Sequence, residues 1–226
     1  LFTKKQDIEI AGFLAATIAW GNRKSIITNA NKLMQWMDFD PHQFILHAKP
    51  KDLKPFKKFV HRTFNGNDCI FFLRSLQNIY KENESMEILF SKEIKKNENI
   101  KSGIVNFRKA FLKPKHLYRV EKHISNPDKN SSAKRLCMYL RWMVRNSKTG
   151  VDFGIWKNIT PSQLCLPLDV HTGNVGRSLG LLKRKQNDWQ SVEEVTAALR
   201  KFDPKDPVKY DFALFGWGVD QKNSTH

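Results

Sequence analysis

The chain has 226 residues, enough to bury a full core in one domain or two small ones, and a formal net charge of +17. This charge indicates a polyanionic partner, nucleic acid first and an acidic membrane surface second; the plain alternative is a highly soluble basic surface. No apolar run approaches the length of a membrane span and no secretory signal precedes the first helix, so we predict a cytoplasmic protein. The chain begins at Leu1 without methionine, and we expect a few N-terminal residues to be missing.

Apolar periodicity and capping residues predict an all-α chain, because no strand alternation and no internal repeat is visible. The predicted helices cover Ile8–Ala19, the segment from the W-G-N-R break at Trp20–Arg23 to about Met37, a segment beginning at Asp40-Pro41, Cys69–Lys81 after an Asp68 cap, Trp189–Phe202, and a segment from Pro207. The cysteines are Cys69, Cys137 and Cys165. Their odd number and wide spacing favour buried thiols over disulfides or a metal site.

Positive charge is concentrated in two stretches. Residues 49–62 interleave lysines with aromatic residues, which suits a phosphate backbone and is equally typical of an amphipathic surface helix. Residues 92–148 contain 16 Lys or Arg against 4 Asp or Glu. This second stretch flanks Lys134, as a DNA-contact face should.

Two segments place a chemically useful residue at the head of a helix. Asn130, Ser131 and Ser132 are cap-type residues before K-R-L-C-M-Y-L-R-W-M-V-R, which begins at Lys134. Asp169 stands at an N-cap position in P-L-D-V-H-T-G-N-V-G-R-S-L-G-L, a helix expected to run to about Leu182. The glycines at 173, 176 and 180 would let another backbone or a phosphodiester approach closely. A stripe at helical spacing joins Lys134, Met138, Arg141 and Arg145.

These segments resemble the helix-hairpin-helix base-excision DNA glycosylases, the endonuclease III and 8-oxoguanine glycosylase superfamily, in which V-D-T-H-x-x-R-V-x-x-R-L-G carries the essential aspartate. On this resemblance Asp169 is that aspartate, and Lys134 is the catalytic lysine at the start of the second hairpin helix. The interval of 35 positions looks more like the archaeal 8-oxoguanine branch. Nearly the whole chain also resembles a bacterial family of conserved hypothetical proteins that shares K-R-L-x-M-x-L-R-W-M-V-R and P-L-D-V-H.

The resemblance implies a two-lobed helical fold with the site between the lobes. Residues 1–220 would form one glycosylase-like unit, with a central lobe of about 30–165, a second lobe of 1–29 plus 166–220, and a polar tail at 221–226. The cysteine cluster of endonuclease III is absent, so no iron–sulfur cluster is expected. The superfamily turn L-P-G-V-G is replaced by the glycine-free N-P-D-K-N-S-S-A. This departure weakens the case for a monovalent cation at the hairpin, although Ser131, Ser132 and helix amides could still bind phosphate.

The resemblance also assigns further residues. Asp211 would form a hydrogen bond with the edge of an extruded base, and Phe215 or Trp217 would stack on that base, with Met138 beside them. For Phe215, packing in the hydrophobic core is favoured over stacking. Asn22 or Arg23 would fill the gap in the duplex, or would simply cap a loop. His171 would donate to a phosphate or support Asp169, or would have no task. The remaining predicted DNA contacts are Arg62, Ser131, Ser132, Arg135, Arg141, Arg145 and Arg177, the last being a phosphate or a structural contact.

The function implied is base-excision repair by a monomeric, nucleoid-associated DNA glycosylase with AP-lyase activity. It would act on duplex DNA with a damaged purine, 8-oxoguanine first. Lys134, kept neutral by burial and by Arg135 and Arg141, would attack C1′, and Asp169 would stabilise the oxocarbenium ion. Either residue alone is more often a surface lysine or a plain N-cap. The main alternative is a catalytically silent DNA- or RNA-binding module, and a second is a basic scaffold protein.

Overall fold

The computed structural model describes residues 2–94, 98–146 and 150–223, with side chains as far as residue 218. The described chain is mostly helical, which confirms the all-α class. A two-residue hairpin, β1 at Val60–His61 and β2 at Phe64–Asn65, is the only paired strand element in the described part. None of the described helices is long and apolar enough to cross a membrane.

The chain forms two compact units. The first consists of residues 1–93 and 106–124, and the second of residues 94–105 and 125–226. The lobes expected from the sequence have other boundaries, and the glycosylase-like two-lobed fold stays a prediction. The tail expected at 221–226 is helical over 221–223, and 224–226 lie outside the described residues.

The first unit is built around stacked phenylalanine rings. Phe72 lies 5.8 Å from Phe13 and 4.8 Å from Phe111 between ring centroids, and Phe90 stacks on Phe107 at 4.3 Å. These rings are almost fully buried, so they supply a large share of the apolar area that stabilises this unit. Its helices are α1 Lys5–Thr17, α2 Arg23–Gln35, α3 Pro41–His47, α4 Gly66–Glu82, α5 Met86–Ser91 and the second half of α6 Lys101–Phe111, with 3₁₀ turns at Pro55–Lys58 and Tyr118–His123.

The helix predicted at Cys69–Lys81 begins three residues earlier, and its cap is a different residue. Asn65 is the N-cap of α4, and its side chain accepts from the N–H groups of Asn67 and Asp68. Asp68 occupies the third helical position, where its carboxylate accepts from the Asn65 N–H at 2.9 Å and completes a capping box. The prediction that Asp68 is the cap is therefore wrong, because an asparagine three residues upstream performs that role.

The second unit contains the remaining helices. They are the first half of α6, α7 Lys134–Val144, α8 Val170–Ser178, α9 Trp189–Phe202 and α10 Asp211–Asn223, with 3₁₀ turns at Pro127–Lys129, Pro161–Gln163 and Pro207–Tyr210. The prediction of a helix at Trp189–Phe202 is confirmed, with Asp188 as its N-cap. Tyr139 and Trp156 form an edge-to-face pair in the core, 5.5 Å between ring centroids.

Helix α8 ends four residues before the predicted Leu182. Gly180 has a φ of +71°, in the left-handed region that glycine adopts without strain. The Leu181 N–H donates to the Gly176 carbonyl at 2.8 Å, and the Gly180 N–H donates to the Arg177 carbonyl at 3.0 Å. This pair of bonds is a Schellman motif, which explains the early end of the helix.

The three cysteines are free and buried, as predicted. Burial raises the pKa of Cys165 to about 12 and that of Cys137 well above its ordinary value. These thiols therefore pack as small apolar side chains.

Candidate active site

Lys134 is the first residue of α7, and the turn that precedes it has an unusual backbone conformation. Asn130 and Ala133 have φ values of 62° and 48°, both in the left-handed region that costs non-glycine residues energy. Ala133 is the N-cap, and its side chain makes no capping hydrogen bond. The expected caps at 130–132 are thus not at the cap position, although the Ser131 hydroxyl accepts from the Ala133 N–H at 3.3 Å.

Asp169 is the N-cap of α8, as the sequence predicts. Its Oδ1 accepts from the Thr172 N–H at 2.9 Å, and its carbonyl accepts from the Gly173 N–H at 2.8 Å. The first turn of the helix thereby fixes the orientation of the carboxylate. The second oxygen, Oδ2, is left to face another partner.

That partner is Lys134. The distance from Lys134 Nζ to Asp169 Oδ2 is 2.6 Å, so two residues 35 positions apart meet in one ion pair. Partial burial alone would raise the pKa of Asp169, but the hydrogen bonds from Lys134 and from the Thr172 N–H lower it below the ordinary value. Asp169 is therefore a carboxylate at neutral pH. The expected burial of Lys134 is met only in part, because 38% of its side chain is exposed.

A second carboxylate, Asp211, opens α10 near this pair. Burial raises the pKa of Asp211, and the negative charge of Asp169 adds to the effect, although the Arg141 guanidinium opposes it. Arg141 donates to Asp211 Oδ2 at 2.5 Å. The site thus combines one carboxylate with a lowered pKa and one with a raised pKa, an arrangement found where acid and base roles are divided.

Arg141 and Arg145 belong to a buried chain of ion pairs. Both donate to Asp152 Oδ2, at 3.3 and 2.5 Å, and Arg145 also holds both oxygens of Asp206 at 2.8 to 3.0 Å. Arg141 and Asp152 are 2% and 3% exposed. The predicted DNA contact of Arg141 is therefore wrong, whereas Arg145 keeps 14% side-chain exposure and its DNA contact stays a prediction. Sequence reasoning overlooked Asp152 and Asp206, because nothing in their local sequence indicates a distant arginine partner.

Aromatic side chains of α10 face solvent. Phe212, Phe215 and Trp217 are 54%, 41% and 51% exposed. The favoured interpretation of Phe215 as core is therefore wrong; its ring meets that of His171 edge to face at 6.1 Å. Phe212, which was not among the predicted site residues, packs against Arg141, with 4.0 Å between its ring centroid and the guanidinium carbon.

A comparison with known protein families identifies the family of this chain. The model of the family described as "Protein of unknown function (DUF2400)" matches residues 1–220, almost the full chain. The chain belongs to the DUF2400 family. No curated protein and no solved structure matches it significantly.

In this DUF2400 chain, Arg177 is a structural contact. Its guanidinium donates to the carbonyls of Arg184 and Lys185, both at 2.8 Å, and to Asn187 Oδ1 at 2.6 Å. The same Asn187 oxygen would lie 2.6 Å from a Cβ at position 173, so Gly173 is needed for this approach. The predicted close approach at this glycine is made by the chain's own 184–187 segment.

The other predicted residues of this unit lie near α7 and α8. Ser131, Ser132 and Met138 are partly exposed, and the Ser132 carbonyl accepts from the Cys137 thiol at 3.9 Å. Burial lowers the pKa of Arg135. His171 is half-buried against α10. Their contacts with DNA stay predictions. Within the described residues, no group of three or more His, Cys, Asp or Glu side chains could hold a metal ion.

Three predicted DNA contacts lie in the first unit. Asn22 is the N-cap of α2 and accepts from the N–H groups of Lys24 and Ser25, so the loop-cap alternative is realised. Arg23 and Arg62 are exposed. Residues 92–148 are divided between the units, so their positive charge does not belong to one compact unit.

Proposed function

We propose that this DUF2400 protein is a base-excision DNA glycosylase with AP-lyase activity that removes a damaged purine, 8-oxoguanine first. The observation that carries the proposal is the 2.6 Å contact between Lys134 Nζ and Asp169 Oδ2. The resemblance to the DNA glycosylases implies that the same two residues act in one reaction. A lysine beside a carboxylate at two helix N-termini is the pair that attack on C1′ requires.

The chemistry begins with the proton on the lysine. The amine must lose a proton to solvent before it attacks, while Asp169 Oδ2, in contact with the nitrogen, stays ionised and orients it. The nitrogen lone pair then bonds to C1′ while the electrons of the N-glycosidic bond leave with the base, which takes up a proton. The nitrogen then loses a second proton, its lone pair forms the C=N bond as the C1′–O4′ bond breaks, and O4′ takes up a proton, which gives the protonated Schiff base. The carboxylate of Asp169, with its lowered pKa, stabilises the positive charge on the sugar.

The extruded base would be held by α10. Phe215 and Trp217 offer exposed aromatic faces for stacking, and Met138 supplies a partly exposed apolar contact. Asp211 is the polar group in reach of a base edge, but its Oδ2 already accepts from Arg141. We therefore expect a purine to contact the other oxygen of Asp211.

The test is borohydride trapping and strand cleavage on duplexes carrying 8-oxoguanine, an abasic site, uracil or no lesion. The wild-type protein should give a covalent adduct and a cleaved strand on one lesion. Lys134→Gln should lose the adduct, and Asp169→Asn should slow its formation severely. Lys201→Gln is the matched control, because Lys201 is an exposed lysine of the same unit and its loss should change nothing.

Two outcomes would overturn the proposal. An intact adduct in Lys134→Gln would remove the assigned nucleophile. Salt-dependent DNA binding without any product would favour the catalytically silent binding module.

A further inference from the structure

A basic surface in the first unit contains none of the residues of the candidate active site. It consists of the Trp20–Arg23 loop, the β1–β2 hairpin and the Leu117–Arg119 segment, together called the hairpin surface below. Residues 20–37 and 53–66 contain seven Lys or Arg and no Asp or Glu. Two of these seven cations, Arg23 and Arg62, lie on the hairpin surface itself.

The Trp20–Arg23 loop contacts the hairpin at two backbone positions with positive φ. Gly21 has a φ of +100° and Arg62 a φ of +54°. A Cβ at position 21 would lie 3.1 Å from Arg62 Cδ and 3.2 Å from Arg62 NH1, so the arginine side chain lies directly over the glycine. Any larger residue at position 21 would displace the Arg62 side chain.

The buried side chain of His61 also joins the Trp20–Arg23 loop to the hairpin. His61 is 3% exposed, its Nε2 lies 3.0 Å from the Trp20 carbonyl oxygen, and its Nδ1 lies 2.9 Å from Asn29 Nδ2. These contacts fit an imidazole that donates to Trp20 and accepts from Asn29. The loop and the hairpin are thus positioned as one body.

The Leu117–Arg119 segment adds an exposed aromatic ring. Arg119 donates to the Thr63 carbonyl at 3.2 Å and to the buried Asp68 carboxylate at 2.8 Å, which ties this segment to the hairpin turn. The neighbouring Tyr118 is 81% exposed, the highest exposure among the large apolar and aromatic side chains of the described residues. A fully solvated tyrosine ring on a rigid basic surface has the chemistry that stacks on a base.

We propose that the hairpin surface binds nucleic acid on its own, with Arg23 and Arg62 on phosphates and Tyr118 stacked on an unpaired base. Exposed guanidinium groups suit phosphate oxygens, and an exposed aromatic ring on the segment bonded to the hairpin turn favours a nucleic acid over a purely anionic partner. The inference shares with the proposed function only the assumption of a nucleic-acid partner, and it requires no chemistry at Lys134.

The experiment measures binding of undamaged, labelled single-stranded and duplex DNA by fluorescence anisotropy over a range of salt concentrations. Arg62→Asn, with a residue that tolerates positive φ, should lower the slope of log K against log salt by about 0.7 to 0.9, the loss of one phosphate contact. Tyr118→Ala should weaken single-strand binding by about 5- to 100-fold. Arg62→Lys keeps the positive charge and should therefore retain most of the wild-type slope of log K against log salt.

Lys81→Ala is the matched control. It removes one exposed positive charge from the opposite end of α4, about 25 Å from the Asn65 cap by the length of a 17-residue helix. This control should bind as the wild type does. Circular dichroism and the melting temperature confirm that each variant is folded, and Arg23→Ser provides a second exposed site if Arg62→Asn is unstable.

Three results would overturn the inference. The first is unchanged affinity and salt slope in the folded Arg23, Arg62 and Tyr118 variants. The second is an equal loss in Lys81→Ala, which would mean a general charge effect. The third is a loss of binding to anionic lipid vesicles without a loss of binding to DNA. Because no reaction is measured, failure here leaves the trapping result at Lys134 intact, and a failed trapping assay leaves this binding result intact.

Discussion

Two of the ion-pair systems in the described part of the second unit have opposite character. Lys134 and Asp169 form a single pair, with the lysine side chain 38% exposed. Arg141 belongs to a chain of ion pairs whose central side chains solvent hardly reaches, since Arg141 and Asp152 are 3% and 0% exposed. Lys134 and Arg141 both lie in α7, and Arg145 is its C-cap residue. The stripe of positive charge that the sequence presents as one surface thus divides into an accessible pair suited to chemistry and a buried chain suited to holding helices.

The two carboxylates nearest the site extend this comparison. Asp169 and Asp211 each lie at the start of a helix and each accepts from a cation. The pKa of Asp169 is nevertheless lowered and that of Asp211 raised. Burial raises the pKa of both carboxyl groups, but at Asp169 the hydrogen bonds from Lys134 and from the Thr172 N–H together outweigh it. At Asp211 burial and the negative charge of Asp169 outweigh the Arg141 guanidinium.

The largest expected effect comes from the buried chain. Arg141→Met should lower the free energy of unfolding by about 3 to 5 kcal/mol, because it removes a buried cation that donates to both Asp211 and Asp152. Urea unfolding followed by circular dichroism measures the change. A loss below about 1 kcal/mol would mean that the chain contributes little to stability.

Asp169 should show an intermediate effect that separates its two roles. Asp169→Ala removes the N-cap and the ion pair and should cost about 1 to 2 kcal/mol, whereas Asp169→Asn keeps a good cap and should cost less than about 1 kcal/mol. The same urea experiment compares the two variants. Equal losses would show that capping by this side chain does not stabilise α8.

Local signals in the sequence predicted the elements that depend on neighbours in the chain. Asp188 and the proline-rich segment after Phe202 set both ends of α9, and Asp169 caps α8 as expected. The partners of buried arginines follow from packing between distant segments, so Asp152 and Asp206 could not be identified. The left-handed Ala133 was equally unpredictable, because its conformation is imposed by the turn and contradicts the preference of alanine.

The opposite pKa shifts should appear as opposite pH dependences of stability. The folded pKa of Asp169 lies below its ordinary 3.8, so its contribution is present above that pH and is lost as the pH falls through the folded pKa. The folded pKa of Asp211 lies above 3.8, so stability is lost as the pH rises from 3.8 through the folded pKa. Subtracting the unfolding free energies of Asp169→Asn and Asp211→Asn from that of the wild type across acid pH should give slopes of opposite sign. Slopes of the same sign would contradict the assigned environments.

The smallest stability effect is expected at the residue with the largest proposed catalytic effect. Lys134→Gln should change the free energy of unfolding by no more than about 1 kcal/mol, because a partly exposed ion pair is only slightly more stable than the same two charged groups in water. Urea unfolding of the variant used for trapping gives the value, with Lys201→Gln as the control. A variant that loses the adduct while keeping its stability ties the loss to chemistry at the amine. A loss of stability as large as that of Arg141→Met would instead make Lys134 a structural residue, and the contrast between the accessible pair and the buried chain would disappear.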